Sequence, residues 1–217
     1  MATNELFARI KSELHTPVLG DILDEMGRHV QFLPPEIKAI VPDTIVVGRA
    51  MPVLIADIYG HSGKGFGRLM EAIDALEEGE IYFARNSRNL CAAWGEIMAS
   101  TAIRNGAVGA VIDGHHRDTR QVKALNFPTF SRGAYGQDAK DRATVLDFRL
   151  TVEVGGVIVH PGDLVVGDND GVIVVPQDVE AEVLERAFNK VSKENLVLKA
   201  IQDGMSAVTA YDTFGVF

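Results

Sequence analysis

Three short apolar segments, separated by helical patterns, constrain the fold of this chain more than any other feature of its sequence. Residues 81–84, 108–112 and 128–130 are typical of buried strands, and residues 95–105 and 119–125 between them have helical patterns. Strands that alternate with helices are typical of parallel strands joined by crossovers. The sequence therefore predicts an α/β fold around these segments.

The flanking segments extend this pattern into a single domain with a mixed β core. Apolar residues at helical spacing predict two helices before Gly27, with Thr16-Pro17 as the N-cap and first turn of the second. Short apolar runs predict two strands between residues 45 and 56, and four more between residues 152 and 175. We expect one domain over residues 1–217, with N-terminal helices at 3–27, a core at 44–176, and a C-terminal helix and tail at 177–217.

Composition and charge narrow the class of protein. The chain contains no apolar run of the roughly 18 residues that a membrane span requires, and its scattered Lys and Arg residues do not predict binding to nucleic acid. Its single cysteine, Cys91, indicates a reducing compartment, so a cytoplasmic protein is expected. The net charge of -9 means that an anionic substrate would need a local cationic centre. The same charge also suits a basic protein partner.

Two short motifs predict where such a centre lies. Glu96 opens the helical segment after the first apolar strand, and Arg117-Asp118 follow the second strand, with twenty residues between the two motifs. Ligands of parallel sheets usually bind beyond the carboxyl ends of the strands, and neighbouring strands lie about 5 Å apart. All three side chains could therefore meet at one site.

The residue types at this site suit a small 2-oxo acid. Arg117 offers a planar fork for a carboxylate or a ketone oxygen, and free N–H groups at the start of a helix could hold a second carboxylate. The absence of a side chain at Gly95 would leave room for that approach. These amide groups belong to Gly95, Glu96, Ile97 and Met98.

The two carboxylates suit a divalent metal ion. Asp118 is a hard oxygen ligand of the kind preferred by Mg²⁺ (or Mn²⁺), and Glu96 could hold a metal-bound water. A metal chelated by a 2-oxo acid stabilises the enolate that forms when a carbon–carbon bond breaks. Retro-aldol cleavage and decarboxylation pass through the same enolate.

Simpler roles remain open for each of these residues. Glu96 is favourable in a first helical turn without any function, and Asp118 could cap the helix that starts at Thr119. Arg117 could pair with a nearby acid. Among other polar motifs, the glycine-rich loop 60–67 could shape the substrate pocket, with Lys64 and Arg68 within reach of a distal carboxylate. Adjacent His115 and His116 are expected to be partly exposed and hydrogen-bonded, and either could donate a proton to an enolate.

Over residues 16–176 the chain resembles the RraA-like family. This family contains the regulator of ribonuclease E activity and the class II 4-hydroxy-4-methyl-2-oxoglutarate and 4-carboxy-4-hydroxy-2-oxoadipate aldolases, and some members carry the mistaken name demethylmenaquinone methyltransferase. The resemblance is carried by Trp94-Gly95-Glu96, by residues 106–109, 113–118 and 127–130, and by the run Pro161 to Val172.

The resemblance implies roles for the site residues. The lyases of the family share an acidic residue, twenty intervening residues and then Arg-Asp, which match Glu96, residues 97–116 and Arg117-Asp118. By that match Arg117 binds substrate, Asp118 is the metal ligand and Glu96, often an aspartate in the family, is the second acid.

The resemblance also implies a fold, an assembly and an activity. These are a swivelling β/β/α-type fold, a homotrimer or hexamer with sites between subunits, and a metal-dependent pyruvate aldolase that also decarboxylates oxaloacetate. The alternative function is that of a non-catalytic, protein-binding regulator of an RNA-processing nuclease.

Overall fold

A computed structural model describes residues 3–60, 65–86 and 90–215 of the chain. The helices are α1 (Thr3–Glu13), α2 (Thr16–Glu25), α3 (Leu69–Asp74), α4 (Glu96–Arg104), α5 (Thr119–Ala124), α6 (Glu180–Gln202) and α7 (Ala207–Phe214). The strands are β1 (Lys38–Ala39), β2 (Val46–Asp57), β3 (Glu80–Arg85), β4 (Ala92–Trp94), β5 (Gly109–Asp113), β6 (His115–His116), β7 (Thr129–Ser131), β8 (Ala143–Phe148), β9 (Val152–Val154), β10 (Val157–Val159), β11 (Leu164–Gly167) and β12 (Val172–Val175).

The three predicted crossover strands lie side by side in a mixed sheet with the order β1-β7-β5-β3-β2-β11-β12. Strand β3 pairs in parallel with β5, and β5 with β7, so that Phe83, Val111 and Phe130 lie in register across the sheet. Helix α4 joins β3 to β5, and α5 joins β5 to β7. The prediction of an α/β fold with a mixed β core and parallel crossovers is confirmed.

Strand β2 is longer than the sequence suggested. Two strands were predicted between residues 45 and 56, but the structure has one strand of 12 residues with Pro52 inside it. Residues 46–49 of β2 pair with β11, and residues 53–57 pair with β8. Pro52 therefore lies between two antiparallel partners, where its missing N–H interrupts neither of those ladders.

The predicted second helix has a different N-cap from the one expected. Helix α2 starts at Thr16, its N-cap position is His15, and no side chain caps it from that position. Instead, the carboxylate of Asp168 accepts hydrogen bonds from the Thr16 N–H at 2.7 Å and the Thr16 hydroxyl at 2.8 Å. Asp168 lies in the turn between β11 and β12, so a residue distant in sequence supplies the oxygen that Thr16 was predicted to provide.

The core beneath the predicted site is aromatic. Trp94 is 1% exposed, and its ring centroid lies 5.1 Å from that of Tyr82 and 6.1 Å from that of Phe127. Buried residues of α3, α4 and α5 pack in the same cluster, while α1, α2 and α6 cover a second cluster beside β11 and β12. Cys91 is buried. None of the described helices is both long and apolar enough to span a bilayer.

Candidate functional site

A two-stranded parallel pair brings the two motifs together. Strand β4 pairs with β6, which places Trp94 opposite His116, and the Arg117 N–H donates to the Trp94 carbonyl at 2.9 Å. Gly95 and Glu96 directly follow β4, and Arg117 and Asp118 directly follow β6. The pair lies after β3 and β5 in the chain, at the carboxyl ends where the sequence predicted a ligand site.

Gly95 allows the backbone of one motif to approach the side chains of the other. A Cβ atom at this position would lie 2.7 Å from Oδ2 of Asp118 and 3.3 Å from Cγ of Arg117. The backbone of Gly95 is extended, with φ of -164°, so any residue could adopt its conformation. Its role is close approach, because a larger residue would displace the carboxylate of Asp118.

Asp118 does not cap its own helix. It occupies the N-cap position of α5 in the left-handed region, with φ of 55° and ψ of 38°, and its side chain makes no capping hydrogen bond to that helix. Its Oδ2 instead accepts from the Glu96 N–H at 3.2 Å, at the first residue of α4. The simple capping role at Thr119 is therefore wrong, and the carboxylate of Asp118 faces the neighbouring motif.

Arg117 lies between two carboxylates. Its Nε is 3.9 Å from Oδ2 of Asp118, and its Nη1 is 3.5 Å from Oδ1 of Asp138. The side chain of Arg117 is 39% exposed, so its N–H groups are accessible to a ligand. Sequence reasoning missed Asp138, because it lies in an irregular segment without periodicity or a motif.

The segment that carries Asp138 forms a third wall of the site. The His116 N–H donates to the Gly133 carbonyl at 3.0 Å, and the Tyr135 N–H donates back to the His116 carbonyl at 2.8 Å. Further along, Ala92 and Asp138 form a parallel bridge. The site is thus built from the residues that follow β4, β6 and β7, rather than from two crossover loops alone.

The start of α4 presents both a carboxylate and free amide groups. Glu96 and Ile97 are exposed, and they line a surface groove of about 480 Å³ with Ser100, Thr101 and Arg104. Asp118 accepts from the Glu96 N–H, and Gly95 is buried. The amides left for a substrate are therefore those of Ile97 and Met98, for which no hydrogen bond to another described residue is found. The predicted set of four amides is reduced accordingly.

The donor set suits a partly hydrated metal ion. Within residues 3–60, 65–86 and 90–215, no group of three or more His, Cys, Asp or Glu side chains is placed to hold a metal. The carboxylate of Asp118 lies at the site and accepts a hydrogen bond from the Glu96 N–H. The side chain of Glu96 is exposed beside this contact. Mg²⁺ usually keeps several waters and needs only one or two carboxylates from the protein. These residues therefore fit Mg²⁺ better than a metal ion that takes all its ligands from the protein.

The two histidines differ in their surroundings. His116 is 3% exposed, and its Nδ1 lies 2.8 Å from the Ser131 hydroxyl. Burial lowers the pKa of His116, and the positive charge of Lys123 lowers it further. The expectation of partial exposure is therefore wrong for His116. His115 is partly exposed, and its ring meets that of Tyr135 edge-on at 5.8 Å.

The glycine-rich loop 60–67, with Lys64 and Arg68, was expected to shape the substrate pocket. Arg68 forms ion pairs with Glu71 and Asp147, and its guanidinium lies 4.7 Å from the Phe148 ring centroid. None of these three neighbours is among the residues that pair with Arg117, which are Asp118 and Asp138. Lys64 and residues 61–63 of the glycine-rich loop lie outside the described residues.

The sequence of the whole site region matches a known family. A family model described as RraA-like, Aldolase/RraA, matches residues 16–174. The chain belongs to the RraA-like family. It is 33% identical over 196 residues to a protein of Halalkalibacterium halodurans named "Putative 4-hydroxy-4-methyl-2-oxoglutarate aldolase". The match covers 90% of this chain and 89% of that protein.

Two solved structures share the fold of this chain. A crystal structure of an uncharacterized protein from Pseudomonas syringae pv. tomato has a TM-score of 0.86 at 33% identity, and the match covers 98% of this chain and 95% of that one. RraAS2 of Streptomyces coelicolor, described as an unusual member of the RNase ES inhibitor RraA family, has a TM-score of 0.80 at 23% identity over 90% of this chain and 98% of its own. These neighbours confirm the expected fold class.

Proposed function

We propose that this RraA-like chain is a divalent-metal-dependent carbon–carbon lyase that acts on 2-oxo acids. It would cleave a 4-hydroxy-2-oxo acid to pyruvate and a second carbonyl compound, and it would also decarboxylate oxaloacetate. The observation that carries the proposal is the contact of Asp118 with the Glu96 amide at 3.2 Å, beside Arg117. The relative named as an aldolase supports the same class of reaction.

Substrate binding is assigned to Arg117 and the start of α4. The guanidinium of Arg117 would bind the carboxylate and ketone oxygens of the 2-oxo acid, since its planar fork matches two oxygens at once. The amides of Ile97 and Met98 would bind a second carboxylate, helped by the positive end of the helix dipole. These contacts orient the bond that breaks.

Asp118 would be the protein ligand of Mg²⁺ (or Mn²⁺), and Glu96 would hold a water of its hydration shell. The ion, when bound, supplies Lewis-acid stabilisation of negative charge on the ketone oxygen. In the cleavage step the proton of the 4-hydroxyl passes to solvent water and C4 becomes a carbonyl carbon. The C3–C4 bond breaks, and its electron pair forms the enolate of pyruvate. Arg117 would stabilise the charge on the enolate oxygen, and a proton then returns to C3. In oxaloacetate the bond to the departing CO₂ breaks instead.

A coupled assay for pyruvate tests this function. Purified full-length chain is mixed with oxaloacetate or 4-hydroxy-4-methyl-2-oxoglutarate and Mg²⁺ or Mn²⁺, and lactate dehydrogenase reports pyruvate. We expect turnover that EDTA abolishes and that Asp118→Asn reduces by about a hundredfold or more, since a group used in the transition state is lost. Asp178→Asn, which removes an exposed carboxylate paired with Arg28, is the matched control. Equal rates with and without EDTA would contradict the metal mechanism.

The alternative is a protein-binding regulator of an RNA-processing nuclease. The net charge of -9 supports it, because an acidic surface suits a basic partner. A pull-down against basic components of RNA degradation, near physiological salt, addresses this alternative. Failure to bind there, together with pyruvate release, would favour the lyase.

We further expect a homotrimer or hexamer, as the family resemblance implies. Ile97, immediately beside Glu96, is 81% exposed, and in such an assembly a neighbouring subunit would cover it. Light scattering coupled to size-exclusion chromatography would measure the mass. A monomer at micromolar concentration would contradict this expectation.

A further inference from the structure

Asp138 is a carboxylate in contact with Arg117 that no motif of the sequence marks. Its Oδ1 lies 3.5 Å from Nη1 of Arg117, while Nε of the same guanidinium lies 3.9 Å from Oδ2 of Asp118. Both distances exceed the roughly 2.7–2.9 Å of a close charged hydrogen bond. Arg117 is therefore held between two carboxylates without being closely bonded to either.

The backbone fixes where Asp138 can lie. The Ala92 N–H donates to the Gln137 carbonyl at 2.7 Å, and Ala92 and Asp138 form a parallel bridge. Arg142 also donates to the backbone carbonyl of Asp138 at 3.2 Å. Because Ala92 begins β4, Asp138 is tied by main-chain contacts to the strand that leads into Gly95 and Glu96.

The position of Arg117 matters for Asp118. A guanidinium that bonds a carboxylate through two parallel N–H groups occupies the same oxygen lone pairs that a divalent ion needs. The charge of Asp138 attracts Nη1 of the Arg117 guanidinium, whereas Asp118 lies nearest to Nε. Without that charge, Asp118 would be the remaining acidic neighbour within 4 Å of Arg117 among the described residues.

We propose that Asp138 is a positioning residue for Arg117. It keeps the guanidinium from closing onto Asp118, so that Asp118 remains available to a divalent cation and Arg117 keeps N–H groups for a substrate carboxylate. This inference rests on the proposed lyase function. It assigns Asp138 no contact with substrate or metal.

An ordinary surface ion pair makes different predictions. The side chains of Arg117 and Asp138 are 39% and 36% exposed, and exposed pairs contribute little to folding. If Asp138 only stabilised its loop, its replacement would slightly change the free energy of unfolding and leave metal affinity unchanged. If it acted only as a nearby negative charge, its replacement would weaken cation binding whether or not Arg117 is present.

A double-mutant cycle separates these roles. Mn²⁺ binding is measured by electron paramagnetic resonance on the wild-type chain, Asp138→Asn, Arg117→Ala and the double variant, with Asp178→Asn as the control. We expect Asp138→Asn to weaken Mn²⁺ binding about two- to fivefold, the size that two exposed charges support. In the Arg117→Ala background the same substitution should have little further effect. The KM for oxaloacetate should rise more than kcat falls.

Each outcome decides the question. An equal loss of Mn²⁺ affinity in both backgrounds, or no loss in either, overturns the positioning role while leaving the lyase proposal intact. A loss that depends on Arg117, in a chain that releases no pyruvate, supports the positioning role and refutes the lyase. A wild-type chain that does not bind Mn²⁺ refutes both.

Discussion

Replacing Gly95 with alanine tests whether the site depends on the close approach of its two motifs. The new Cβ would lie 2.7 Å from Oδ2 of Asp118, whereas ordinary contact begins at 3.4 Å, so the carboxylate must move by about 0.7 Å, the difference between them. A misplacement of about 1 Å at a reacting centre can cost on the order of a hundredfold in rate. We therefore expect kcat/KM to fall about ten- to a hundredfold, or about 1.4–2.7 kcal/mol of transition-state stabilisation.

The same substitution should affect folding much less. Alanine is a poorer N-cap than glycine by about 0.5–1 kcal/mol, and loss of the bond from the Glu96 N–H to Asp118 adds about 1 kcal/mol. The free energy of unfolding, measured with urea, should thus fall by about 1.5–2 kcal/mol, which a domain of ordinary stability tolerates. The extended backbone of Gly95 adds no strain to this sum.

Gly136→Ala is the matched control for this experiment. Gly136 precedes Asp138 in the same wall of the site, but a Cβ there meets nothing within 4 Å. Its pyruvate release in the coupled assay should equal that of the wild-type chain. Wild-type kcat/KM in Gly95→Ala, with folding intact, would show that the contact between Gly95 and Asp118 has no bearing on activity.

Three further predictions concern the fold that supports the site, and urea unfolding checks each of them. Trp94→Ala should destabilise the chain by about 3–5 kcal/mol because it empties the aromatic cluster with Tyr82 and Phe127; a loss below about 1 kcal/mol would contradict the packing described. Asp168→Ala should cost about 1–2 kcal/mol, since α2 loses the carboxylate that binds Thr16, and an unchanged midpoint would show that this cap is dispensable. Glu180→Gln should cost about 1–3 kcal/mol because it leaves the half-buried Arg49 guanidinium without its charged partner, and a gain in stability would refute that account.

The sequence predicts elements whose patterns are local. The strands at 81–84 and 108–112 and the helix from Glu96 were predicted to within one or two residues, because apolar runs and helical periodicity are short-range signals. The four short strands expected between residues 152 and 175 are present for the same reason, as β9 to β12. The spacing of Glu96 and Arg117-Asp118 also sufficed to place the motifs side by side, since parallel crossovers align the ends of neighbouring strands.

Features that depend on distant residues could not be predicted in the same way. Asp168 caps a helix that starts 152 residues away in the chain, and Asp138 reaches Arg117 only because its segment pairs with Ala92. Strands β4 and β6 have three and two residues, too few for a period to emerge. Strand β8 was missed because its burial does not alternate cleanly. In each case tertiary contacts, rather than local preference, decide the outcome.

The bond between the Glu96 amide and Asp118 makes one main-chain proton a reporter of the site. The Glu96 nitrogen and Oδ2 of Asp118 are 3.2 Å apart. Any cation that draws electron density from this oxygen must also change the shielding of the proton between them. A nitrogen–proton correlation spectrum would then register the arrival of Mg²⁺ at Glu96, with or without catalysis. The first turn of α4 thus doubles as a built-in probe of occupancy, readable in a ¹⁵N-enriched chain without an attached reporter group.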